Sequence, residues 1–136
     1  MEVDSKKNDG SSVLHTYGLL PSYQLQFIVK GNGRVYGELL LARTRRKVSG
    51  IINRRVDDVW WEGGKIADVL NGDPRLKKLL LDILAYEGDI FVDPTDNVVR
   101  IYSRFKGENE LIISKESMEA FNIIAGHVKK MMSELE

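Results

Sequence analysis

The sequence predicts a single α+β domain: a mostly antiparallel sheet of about five strands, two main helices and one short helix, preceded by a disordered amino-terminal tail. Three observations predict it. Residues 23–30 alternate like a half-buried strand, turn chemistry recurs between strand-like segments, and two long stretches carry apolar residues at helical spacing. The chain has 136 residues, 43% of them apolar and 29% charged, which is the composition of one ordinary globular core.

Residues 1–12 are small, charged and without periodicity, so they read as a mobile tail, and the domain is expected over residues 13–136. In strand one, Tyr23, Leu25, Phe27 and Val29 alternate with Gln24, Gln26, Ile28 and Lys30. Gly31-Asn32-Gly33 then suits a two-residue hairpin turn, because both central positions of that turn need positive φ. Strand two is expected from Arg34 to Arg43 and a third from Lys47 to Arg54, with Gly50 as a bend.

Past Gly63-Gly64, a short helix is expected from Lys65 to Leu70, with Ile66, Val69 and Leu70 on one side. Asp73 as N-cap, Pro74 at the first position and Gly88 beyond the end bound a longer helix. Leu76, Leu79, Leu80, Ile83 and Leu84 form its apolar stripe. A second hairpin joins Asp89–Val92 to Val98–Phe105 across the turn residues Asp93 to Asn97. A short strand at Glu110–Ile113 and a helix capped by Ser114 complete the chain.

The sequence contains no cysteine, which excludes disulfides, thiolate metal sites and cysteine nucleophiles. No apolar run is long enough for a membrane span and the amino-terminus lacks a secretory signal, so the expected compartment is the cytoplasm and no membrane partner is expected. No cofactor and no metal are expected either. His15 and His127 are far apart and belong to no ligand pair, and the run Asp93 to Asn97 lacks the glycine and glutamate of a calcium loop. Gly63-Gly64-Lys65 lacks the first glycine and the magnesium-binding hydroxyl of a phosphate loop.

Charge is unevenly distributed although the total is zero. Residues 30–55 carry eight basic side chains and one acidic, whereas residues 56–99 carry ten acidic and four basic. Arg43, Arg45, Arg46, Lys47, Arg54 and Arg55, placed on two strands joined near Thr44, could form a phosphate-binding patch, with Tyr36, Trp60 or Trp61 stacking on bases. The plainer reading, favoured for a chain of zero net charge, is that this block faces the acidic one or guards a strand edge.

Of the adjacent Trp60 and Trp61, one should enter the core while the other faces outward as a candidate partner anchor. Along the last helix Met118, Phe121, Val128 and Met132 lie on a broad apolar face, which suits core packing ahead of a dimer seam. The expected function is therefore a noncatalytic binding or assembly module that contacts a protein partner or forms a homo-oligomer. The alternatives are a nucleic-acid-binding domain using Arg43 to Arg55, and an enzyme or small-ligand binder near Asp57 to Lys65, where Asp57, Asp58 and Glu62 supply carboxylates.

Overall fold

A computed structural model describes residues 11–17, 22–31, 36–50, 52, 55–85, 88–95, 97–104 and 114–135, side chains excepted at 11–17, 22–25 and 104. The strands are β1 (Ser11–Tyr17), β2 (Ser22–Lys30), β3 (Ala42–Ser49), β4 (Arg55–Gly63), β5 (Ile90–Pro94) and β6 (Val98–Arg104). The helices are α1 (Lys65–Asn71), α2 (Pro74–Ile83) and α3 (Lys115–Leu135), with a 3-10 turn at Gly37–Leu40. The six described strands form one antiparallel sheet in the order β1-β2-β6-β5-β3-β4, so the chain is an α+β domain.

The alternation in β2 predicts its inward face: Phe27 and Val29 are buried, and their partners Ile101 and Val99 in β6 are buried with them. That face continues through Ile90 and Val92 of β5, Ala42 and Thr44 of β3, and Val59 and Trp61 of β4. The helices cover it. Phe121 of α3 meets Phe27 with ring centroids 5.1 Å apart, while Ile66 and Leu70 of α1 and Leu76, Leu80 and Ile83 of α2 fill the rest of the core.

Helix caps follow the sequence. Asp73 accepts a hydrogen bond from the Leu76 amide (3.0 Å) with Pro74 next to it, and Ser114 Oγ accepts from the Ser117 amide (3.0 Å). Helix α2 ends earlier than Gly88 suggests, because Leu84 closes it through a bond to the Leu80 carbonyl. The β5–β6 hairpin forms as expected, tightened by the Thr95 amide on the Val98 carbonyl (2.9 Å).

Three assignments change. Strand two does not run from Arg34 to Arg43. Gly37–Leu40 is a 3-10 turn, in keeping with a Leu39-Leu40-Leu41 run that has no strand alternation, and β3 begins only at Ala42. Thr44 is consequently in the middle of a strand and joins nothing. The third strand also moves: Lys47–Ser49 are the end of β3, the chain turns at Gly50, and the next strand is Arg55–Gly63, with a bulge where Lys47 and Val48 meet β4. Finally, Ser11 and Ser12, expected to lie outside the domain, belong to β1; nothing in Ser-Ser-Val-Leu-His-Thr-Tyr alternates to announce a strand. The Asn32-Gly33 turn and the Glu110–Ile113 strand lie outside the described residues, and β2 neighbours β1 and β6, not the strand that follows it.

At the β4 edge, the Asn71 side chain bonds both backbone groups of Trp61, accepting from its amide at 2.7 Å and donating to its carbonyl at 2.9 Å. Asp58 takes the Val59 amide (2.8 Å) and Lys77 (2.9 Å) beside it. These side chains satisfy backbone groups that an edge strand otherwise leaves open. No helix among the described residues is long and apolar enough to cross a membrane.

A second joint ties the helices together. His127 of α3 and the capping carboxylate Asp73 lie 2.7 Å apart, and this hydrogen bond is the main reason the Asp73 pKa is lowered. A lowered carboxylate pKa stabilises the fold at neutral pH, and that contribution disappears as pH falls through the folded-state value, in the acid range below about pH 4. Asp73→Ala should therefore cost ~1 kcal/mol near neutrality, the usual value of such a cap. His127→Ala should move the Asp73 carboxyl titration upward by NMR; an unmoved titration would rule this link out.

Candidate functional site

The proposed arginine patch is largely spent on internal contacts. Asp89, just before β5, accepts from Arg43 Nη2 (3.2 Å), Thr44 Oγ1 (3.1 Å) and Arg46 Nη2 (3.0 Å), while Thr44 Oγ1 accepts from the Ile90 amide (2.9 Å). Arg46 also donates to the Leu84 carbonyl at the end of α2. This node stitches β3 to β5 where their pairing stops, so Arg46 points to the helix side and serves the fold. Arg45 pairs with Glu62 (2.9 Å) and Arg55 with Asp57 (3.0 Å), both at the surface, and Arg54 lies outside the described residues. The acidic block does meet the basic one within this chain.

The carboxylates near Asp57 do not form a proton-transfer pair. Hydrogen bonds hold all three pKa values down: Ser49 chiefly for Asp57, Lys77 and then the Val59 amide for Asp58, and Trp60 and then Arg45 for Glu62. Lowered values keep them ionised at neutral pH, the opposite of what a general acid requires. The neighbouring cleft, about 190 Å³ between Trp60, Trp61, Leu70, Asn71, Lys77 and Leu80, has no carboxylate in its wall. Among the described residues no three His, Asp or Glu side chains converge to hold a metal ion.

The expected apolar anchors are mostly inside. Phe121, Val128 and Met132 are buried, Met118 packs against the same core half-buried, and Tyr36 is buried too. Trp61 is also inside, whereas Trp60 faces outward at 37% exposure, the split that strand geometry dictates.

What sequence reasoning missed lies on the sheet face away from the helices. Phe91 of β5 pairs with Tyr102 of β6, and their rings stack with centroids 5.3 Å apart and planes 20° apart. Arg43 of β3 is the register partner of Phe91 on its other side, with its guanidinium 5.0 Å from that ring. Arg100 lies 4.8 Å from the Tyr102 ring and donates to Gln26 Oε1 of β2 (2.6 Å). The four side chains form one column, Arg43-Phe91-Tyr102-Arg100, crossing three strands.

Among the described side chains Lys30, Arg45, Lys47 and Arg55 stand on the same face, making six cations against the carboxylates of Asp57, Asp58, Glu62 and Asp93. The available signal was the strand period: with Ile90 and Val92 inward, Phe91 must point outward, and an outward aromatic on a strand is a candidate contact. Compared with protein-family models, with curated proteins and with solved structures, the chain matches none of them.

Proposed function

We propose that this chain is a noncatalytic binding module that holds single-stranded nucleic acid on the open face of its sheet. The observation that carries this reading is the Arg43-Phe91-Tyr102-Arg100 column, which places two aromatic rings among cations on the face that no described helix covers. Aromatic side chains on an exposed sheet stack with bases of any sequence at ~1–3 kcal/mol per base, and nearby cations neutralise phosphates. This reading uses Arg43, Arg45 and Lys47 of the patch expected from the sequence, adds Arg100, and leaves out Arg46, which is bonded on the helix side.

Fluorescence anisotropy with a labelled mixed-sequence single strand tests it. Affinity should fall as salt rises, and the double change Arg45→Gln with Lys47→Gln should flatten the slope of log K against log salt by ~1.4, at about 0.7 per lost phosphate contact. An unchanged slope, or no binding at low salt, would remove the reading.

A second reading, assembly through the same face, rests on the exposed Trp60 beside Arg45, since Trp, Tyr and Arg are the residues that dominate protein interfaces. Light scattering separates the two. A dimer that persists at high salt and ignores oligonucleotides favours assembly.

A further inference from the structure

Both faces of the two rings are already occupied in the free chain. Phe91 stands between Arg43 and Tyr102, and Tyr102 stands between Phe91 and Arg100. A base can reach a ring face only by displacing a guanidinium, and the two guanidinium groups are not held alike. Arg43 is tied to the charged Asp89, which is itself fixed by Arg46 and Thr44. Among the described residues, Arg100 is held by a bond to the neutral amide of Gln26. Both bonds have an ionised donor, but only the one from Arg43 ends on a negative charge and so adds the attraction of an ion pair, which makes the Arg100 end the one that opens.

Resting on the nucleic-acid reading above, we propose that the first base stacks on Tyr102 by displacing Arg100, whose guanidinium then moves from the ring and Gln26 to the adjoining phosphate. The Arg43–Phe91 end stays closed and serves as the fixed wall of the stack. The exchange is favourable in direction, because the base takes the place of the guanidinium on the ring at ~1–3 kcal/mol and the displaced guanidinium trades the neutral Gln26 oxygen for a charged phosphate. The column is thus a self-capped site whose caps differ in how readily they leave.

The experiment combines NMR of arginine Nε–H groups with binding of a short labelled single strand. On addition of the strand the Arg100 signal should shift while the Arg43 signal stays in place. Tyr102→Leu should weaken binding about tenfold, within the range of one lost base stack, and Phe91→Leu should weaken it less. If the wild-type chain binds but Arg43 shifts and Arg100 does not, or Phe91→Leu loses as much as Tyr102→Leu, this order of opening is overturned while the nucleic-acid reading stands. If the wild-type chain binds no strand, both fall. The arginine signals are read on the wild-type chain, so they decide the question independently of how the variants fold.

Discussion

Phe121→Ala is expected to lower the unfolding free energy by ~3–5 kcal/mol, read as a shift of the urea midpoint at unchanged slope. Phe121 is fully buried, and its ring meets Phe27 where α3 crosses the sheet, so the deletion leaves a cavity between two layers that cannot both collapse into it. The same experiment separates core from interface. A seam between two copies would make the loss depend on protein concentration, because subunit binding adds to stability by mass action. A midpoint that is independent of concentration belongs to packing within one chain.

Gly63→Ala should cost ~3 kcal/mol, the combination of overpacking at ~1–3 and an unfavourable backbone conformation at ~1–3. Gly63 ends β4 at φ +145°, and a Cβ there would fall 2.1 Å from the Leu41 carbonyl oxygen and 2.7 Å from the Ala42 Cα. Those are backbone atoms of the neighbouring segment and cannot rotate away as a side chain could. Gly72→Ala is the control, since its Cβ would come no nearer than 3.4 Å to the Val69 carbonyl oxygen, and it should cost less than ~1 kcal/mol. Equal melting temperatures for the two variants would mean that the Gly63 approach is not tight in solution.

The parts of the fold that local chemistry dictates were legible. Asp73-Pro74 with its apolar stripe, Ser114 ahead of α3 and the turn residues after β5 each act within a few positions of themselves. The parts set by long-range pairing were not. Strand β1 has no alternation because its sequence does not declare a face, and the 3-10 turn at Gly37–Leu40 interrupts a run whose leucines suit several structures. Arg46 shows the same limit from the side of function. It counted as a phosphate ligand beside Arg45, yet its partner Asp89 is 43 positions away and only the meeting of β3 and β5 brings them together. The column was hidden for that reason as well, since Arg43, Phe91 and Tyr102 share a face through register alone.

The way Asn71 grips Trp61 also limits how sheets from two copies can join. A sheet with two bare margins can grow without end, one molecule adding to the next. Here the amide of Asn71 occupies the place that a residue of an incoming strand would take, and Asp58 holds the position beside it. The margin formed by β4 is stoppered in this stretch, which leaves β1 as the opposite margin. A strand from a second copy therefore finds no open backbone at Val59 and Trp61, so growth of a fibre through that stretch of β4 is blocked.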